Sequence, residues 1–253
     1  MMLIASRLGC AAVVLTMAAG NTAAAEAQLA VAANFAAPAK RLAEQFAQQR
    51  GHALLLNVGS TGKFYAQIKN GAPFDVFLSA DEETPTRLEQ EKLAVSGTRF
   101  AYALGKLVLW SAQPGLVDNS GNVLRQGKFR KLAMANPRLA PYGAAARETM
   151  EKLGVWTTLH EKLVQGENIA QTLQFVASGN ADLGFVALSQ LRDEGARVVG
   201  SQWDVPSSFH APIRQAAVLL VHGQQNPAAR EFLDFLRSPP ALRLIQNFGY
   251  DLP

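Results

Sequence analysis

Cysteine is almost missing from this 253-residue chain: Cys10 is the only one. Beyond residue 10 the chain can form no disulfide, use no thiol nucleophile and build no cysteine-ligated metal site. Histidine is nearly as scarce. His52, His160, His210 and His222 are scattered and show no metal-ligand spacing. Charge is sparse, with 24 Lys+Arg against 20 Asp+Glu and a net of +4. The longest basic cluster is Lys128, Arg130 and Lys131. That is too small for a nucleic-acid footprint, so no nucleic-acid partner is expected. No apolar run reaches the roughly 20 residues of a membrane span. Glycine (20) and proline (12) are near ordinary usage, which excludes collagen-like and linker-dominated chains. What remains is a chain with 49% hydrophobic residues, long enough for one large core or two lobes of about 100 to 125 residues.

Residues 1–25 read as an address. Arg7 is the lone positive residue, an apolar run follows from Leu8 to Ala19, and Ala23, Ala24 and Ala25 precede Glu26. That is the order of a cleavable secretory signal peptide. Ala25-Glu26-Ala27 offers a second cut two residues later. Cys10 precedes most of the apolar run, so it is an ordinary residue of that run and not a lipid-attachment site. The expected product is a cysteine-free, soluble monomer, which suits the bacterial periplasm.

Short apolar strands then alternate with amphipathic helices. Leu29–Ala33 predicts a strand, and Phe35, Ala39, Leu42 and Phe46 repeat at helical spacing until Gly51. Ala53–Val58 is a second strand, Lys63–Asn70 a helix and Phe74–Ser79 a third strand. This order predicts a parallel, doubly wound sheet. A second series follows: strand Lys131–Ala135, helix Gly143–Leu153, strand Leu163–Gln165, helix Asn168–Ser178 and strand Asp182–Ala187. Phe100–Trp110 joins the two series and Arg214–Val221 returns to the first. Helices near Pro227–Arg237 and Pro239–Phe248 are expected to pack on the first lobe. The expected architecture is α/β, with two doubly wound lobes joined by two crossing strands around a cleft. The boundaries are 26–107 plus 216–253 for lobe 1 and 108–215 for lobe 2.

In open α/β sheets, ligands sit beyond the carboxyl ends of the strands, at helix N-termini. Four such turns stand out: Ala33-Asn34, Gly59-Ser60-Thr61-Gly62, Pro141-Tyr142-Gly143 and Glu167-Asn168-Ile169. Each offers unpaired backbone N–H groups, and Asn34, Ser60, Thr61 and Tyr142 add neutral hydrogen-bonding side chains. Taken singly, each has a plain explanation: Asn34, Ser60 and Asn168 as helix caps, Tyr142 as a packed loop aromatic. Taken together, facing one cleft, they make an anion site that needs no basic side chain. A carboxylate ligand would more usually call for an arginine fork, and no arginine stands in these turns.

Other chemistries are poorly served. Gly59-Ser60-Thr61-Gly62-Lys63 lacks the spacing of a phosphate loop, and Ser60 is in no G-x-S-x-G elbow. Asp81-Glu82-Glu83 suits a solvated helix start. No nucleophile–base pair is visible, so binding is expected and catalysis is not.

Several motifs carry a family resemblance. They include Ala32-Ala33-Asn34-Phe35, Gly59-Ser60-Thr61-Gly62, and the stretch Asn70-Gly71-Ala72-Pro73-Phe74-Asp75-Val76-Phe77-Leu78-Ser79-Ala80-Asp81. They also include Gly105-Lys106-Leu107-Val108-Leu109-Trp110-Ser111, Ala140-Pro141-Tyr142-Gly143 and Ala181-Asp182-Leu183-Gly184-Phe185-Val186. Over residues 28–253 the chain resembles the molybdate-binding periplasmic proteins of ABC transporters. The resemblance implies a type II periplasmic-binding-protein fold and a molybdate or tungstate dianion in the cleft. It implies no cofactor, no direct metal ligands, and an inner-membrane ABC permease as partner. Carried over by motif, Asn34 stands where the family has Ser or Asn. Thr61 stands where a Ser usually donates its N–H and hydroxyl. Tyr142 matches a subgroup whose ligand hydroxyl comes from this loop. Ile169 matches a helix-start position, usually Val, that offers its N–H. Ala33 and Ser60 are possible additional contacts. Another subgroup has a Tyr where this chain has Ala187, so Tyr142 is expected to supply that hydroxyl. The competing expectations are a receptor for sulfate or phosphate, a secreted α/β hydrolase, and the effector domain of a transcription regulator.

Overall fold

The computed structural model describes residues 24–193, 196–197 and 199–253. Most of the 1–25 leader lies outside the described residues. In the first lobe, β1 (Glu26–Ala32) runs through a 3-10 turn (Ala33–Phe35) into α1 (Ala36–Arg50). Then come β2 (Ala53–Gly59), α2 (Thr61–Lys69), β3 (Val76–Leu78), α3 (Glu83–Gln90) and β4 (Phe100–Gly105). The second lobe holds β5 (Leu107–Ser111), α4 (Asn122–Gln126), β6 (Leu132–Ala135), α5 (Pro141–Lys152) and α6 (Trp156–Leu159). It continues with β7 (Leu163–Gly166), α7 (Ile169–Ala177), β8 (Leu183–Ala187), the short pair β9 (Arg192–Asp193) and β10 (Ala196–Arg197), and β11 (Ser201–Asp204). The chain returns through β12 (Ile213–Leu219), α8 (Pro227–Leu236) and α9 (Pro239–Asn247).

The two main sheets run in the order β2-β1-β3-β12-β4 and β11-β5-β8-β6-β7. The strands of the βαβαβ series are parallel as expected, and the crossing strands added to them make both sheets mixed. In the first, β1 pairs parallel with β2 and β3, while β12 is antiparallel to β3 and β4. In the second, β6 is parallel to β7 and β8, while β5 is antiparallel to β8 and β11. The crossings impose this. The βα strands end at the cleft, so a strand entering a lobe from the cleft must run against them, as β5 and β12 do. The run Phe100–Trp110 is accordingly two strands, broken at Lys106, one in each sheet.

Helical periodicity decides the core as expected. Phe35, Ala39, Leu42 and Phe46 are buried against Phe232, Phe235 and Ile245 of α8 and α9. Phe64 and Ile68 of α2 cover the opposite face of the same sheet, with Phe77. Gly51 ends α1 in the left-handed region (φ 72°), with its N–H on the Ala47 carbonyl. At the start of β1, the Ala25 N–H donates to His52 Nδ1 (3.0 Å) and the Ala25 carbonyl accepts from the Ala53 N–H (2.9 Å). A cut after Ala25 would give up both bonds. A cut after Ala27 would also remove Glu26 and Ala27, which pair with Ala53 and Leu54.

Candidate functional site

All four turns singled out in the sequence border one recess between the lobes. Ala32, Ala33, Asn34, Gly59, Thr61 and Ala80 line it from the first lobe; Ala140, Pro141, Tyr142, Asn168 and Ile169 line it from the second. None of these eleven side chains is ionisable in the neutral range. The N-termini of α2, α5 and α7, and of the 3-10 turn leading into α1, all open here. The first N–H groups of a helix have no partner within it and carry its partial positive charge.

Thr61, 2% exposed, is the first residue of α2. Its Oγ1 accepts the Ala80 N–H at 3.1 Å and lies 3.5 Å from Ser79 Oγ, whose nearer acceptor is Asp81 Oδ1 at 3.1 Å. With its oxygen accepting the Ala80 N–H, the Thr61 hydroxyl has its proton to give, and a ligand oxygen in the recess would compete for it only with the long contact to Ser79 Oγ. Burial lifts the Asp81 carboxyl above its ordinary range, against the bonds it receives from Thr84 and Ser79. Ser60 is the N-cap residue of α2, yet its side chain caps nothing. Its buried Oγ has no partner, so the expected capping role is corrected to an unsatisfied hydroxyl beside the recess. Ser60 itself does not line the recess.

Asn34 also departs from its expected capping role. It sits within the 3-10 turn, whose N-cap is Ala32. Both amide protons are spent away from the recess, on Gln215 Oε1 (2.8 Å) and the Tyr250 hydroxyl (3.0 Å). Only its backbone N–H is left to offer a ligand. Asn168 does act as a cap, accepting the Gln171 N–H at 3.0 Å. This sets Ile169 as the first residue of α7, where its N–H is among the unpaired ones.

Tyr142 is 1% exposed on the first turn of α5, after Pro141 at the helix start. Its hydroxyl accepts from Gln215 Nε2 at 3.2 Å. Burial pushes the Tyr142 and Tyr102 hydroxyls well above the usual tyrosine range and Tyr250 up to about 12. All three therefore stay protonated, able to donate, at neutral pH.

The lobes touch around the recess. The Gly62 N–H of the first donates to the Leu139 carbonyl of the second at 2.9 Å. Ser189 Oγ of the second donates to the Asn34 carbonyl at 2.8 Å, and the Tyr250 hydroxyl reaches both. Lys63 pairs with Glu167 at 3.3 Å across the exposed rim. Outside the recess a groove of about 550 Å³ opens between Asp81, Glu82 and Arg87 on one side and Arg138 and Glu148 on the other. Sequence reading missed the buried polar group behind the recess: Ser79, Tyr102, Ser189, Gln215 and Tyr250. The Ser79-Ala80-Asp81 motif was the one available signal. The others are isolated polar residues that meet only in three dimensions.

Two doubly wound α/β lobes, joined by two crossing strands and closed over a recess of neutral donors, define a solute-binding protein of the type II periplasmic-binding fold. The chain belongs to the family of bacterial extracellular solute-binding proteins, whose sequence model matches residues 27–251. It is 54% identical over 229 residues to the molybdate-binding protein ModA of Azotobacter vinelandii, covering 90% of this chain and 91% of that one. It is 49% identical over 246 residues to ModA of Rhodobacter capsulatus, covering 96% of each. The solved structure of the periplasmic molybdate-binding protein of Azotobacter vinelandii superposes with a TM-score of 0.87 at 44% identity, over 90% of this chain and 99% of that one.

Proposed function

We propose that this protein captures molybdate between its lobes and delivers it to an ABC transporter permease. Tungstate, a dianion of the same shape, is taken by the same donors. The observation that carries this reading is the recess itself. The Thr61 and Tyr142 hydroxyls each keep a proton, helix N-termini face it from both lobes, and none of its lining side chains bears a charge. The relatives named for molybdate support the choice of anion. The ligand set is the Thr61 N–H and hydroxyl, the Tyr142 hydroxyl, and the N–H groups of Asn34 and Ile169, with Ala33 as a further contact and Ser60, which is buried beside the recess and does not line it, reached only if its unpartnered hydroxyl turns to the ligand. The protein works as a monomer with no cofactor. It reaches the periplasm through a leader over residues 1–25 and divides into lobes near 26–107 plus 216–253 and 108–215, with the second boundary drawn back to about Ile213 because β12 pairs with β4 from there, so that Gln215 falls in the first lobe. The crossing at Lys106 supports the first of these boundaries to within a residue or two.

Fixed donors spaced for a large oxyanion leave a smaller one unable to reach them all. Each buried donor left unmet costs about 1–3 kcal/mol. Two such losses weaken sulfate or phosphate roughly 30- to 20,000-fold. Calorimetric titration of the purified mature protein with molybdate, tungstate, sulfate and phosphate checks this. Molybdate and tungstate are expected to bind far more tightly, and equal affinity for sulfate would refute the assignment.

A further inference from the structure

β12 is the strand by which the chain re-enters the first lobe, and Gln215 is its third residue, with no exposed surface. Its pairing with β4 shifts register between Gln215 and Ala216. The side-chain amide is held at both ends. Oε1 accepts from Asn34 Nδ2 at 2.8 Å and from the Tyr102 hydroxyl at 3.0 Å. Asn34 Nδ2, joined by the Tyr102 hydroxyl, which the Ser79 carbonyl also reaches at 3.2 Å, orients the amide with Nε2 toward the Tyr142 hydroxyl at 3.2 Å. The phenol oxygen therefore accepts, which leaves its one proton to be given, with the Tyr250 hydroxyl as the neighbouring protein group that a ligand oxygen would have to outcompete. Gly105, the last residue of β4, leaves room for this meeting. A Cβ there would stand 2.2 Å from the Tyr142 hydroxyl oxygen and 2.8 Å from Gln215 Nε2.

We infer that Gln215 is a positioning residue of the anion site: by donating to Tyr142 it makes that hydroxyl a donor toward the recess, and only when the lobes are closed. Gln215 belongs to the first lobe and Tyr142 to the second, so opening the cleft separates them. In the open state the tyrosine proton is free to turn to any acceptor, including water. Closure delivers it aimed at the ligand, so the binding-competent state is the closed one. The inference rests on the proposed anion site and adds a residue that does not touch the ligand.

A double-mutant cycle tests it, with molybdate titrated calorimetrically into the purified protein and folding checked by thermal melting. Gln215→Met removes the amide and keeps the volume. It is expected to weaken molybdate about ten- to a hundred-fold. In the Tyr142→Phe background the same change is expected to alter affinity less than two-fold, because there is no hydroxyl left to orient. A full loss in that background, or none in the wild-type background, overturns the inference. If Gln215→Met does not fold, Gln215→Glu decides. The carboxylate still accepts from Asn34 and Tyr102 but takes the Tyr142 proton from the recess. It is expected to fold and bind at least ten-fold more weakly, and wild-type affinity overturns the inference. A wild-type chain that binds no molybdate overturns the anion site and this inference together. Molybdate binding that ignores position 215 overturns the inference alone.

Discussion

Thr61 and Tyr142 reach the recess with the same chemical preparation. Each hydroxyl oxygen already accepts an N–H, from Ala80 in one case and Gln215 in the other. The proton that remains must find an acceptor, and a buried donor without one is costly. An oxyanion supplies several. Thr61→Ala and Tyr142→Phe each remove one bond to a charged ligand, worth about 1.5–3 kcal/mol. Each should weaken molybdate roughly ten- to a hundred-fold by calorimetry. Ile169→Ala keeps the N–H that the site would use, so molybdate affinity should change little. A large loss for Ile169→Ala alongside none for Tyr142→Phe would reverse the roles given to backbone and hydroxyl. Asn34 shows how a residue can line the recess and yet be differently employed, since its amide holds Gln215 and Tyr250 and leaves only its N–H for the proposed ligand.

At the scale of elements, the helix starts fall into two kinds. α7 is capped by its Asn168 side chain, whereas α2 begins at Ser60 with no side-chain bond to its first turn. Asn168→Ala should cost about 1 kcal/mol of stability, the usual loss for a cap. Ser60→Ala removes an unpartnered buried hydroxyl and should leave ligand-free stability unchanged or slightly raised. Urea unfolding of both variants without molybdate separates the cases, and equal losses would mean that Ser60 caps α2 after all. If the Ser60 hydroxyl is a further contact, the same variant loses affinity while keeping its stability. The two starts leave different N–H groups for an anion: α2 keeps its whole first turn, while the Asn168 cap on α7 takes the Gln171 N–H and leaves that of Ile169.

For the whole molecule, the lobes meet through a buried polar cluster containing three tyrosines. Tyrosine ordinarily titrates near 10, and burial raises all three in the folded protein. Their contribution to stability is therefore complete below about pH 10. It falls as pH rises, through about 12 for Tyr250, by up to about 1.4 kcal/mol per pH unit for each tyrosine that ionises only when unfolded. Urea midpoints measured from pH 8 to 11 should be level with respect to these groups until about 10 and then drop. Tyr250→Phe should drop less steeply, and an identical slope would remove Tyr250 from the linkage. Lys63–Glu167, across the exposed rim, contributes only about 0–1 kcal/mol by comparison.

Much of this molecule was legible in one dimension because the signals are local. Phe35, Ala39, Leu42 and Phe46 mark the buried face of α1 by spacing alone, and the strand-to-helix turns at Asn34, Thr61, Tyr142 and Ile169 follow from the order of elements. That order also implies where four helix starts can point, since βα strands end on one side of their sheet. What the tertiary structure alone decided is how those donors are held. Gln215 lies 181 residues from Asn34 and 73 from Tyr142, and Tyr250 lies 216 from Asn34. No periodicity or cap spans such distances. The crossing strands bring these residues together, and burial away from water then leaves each polar group to find its partner or wait for a ligand. Strand direction was decided in the same way: β5 and β12 run against their neighbours because the chain enters each lobe from the cleft.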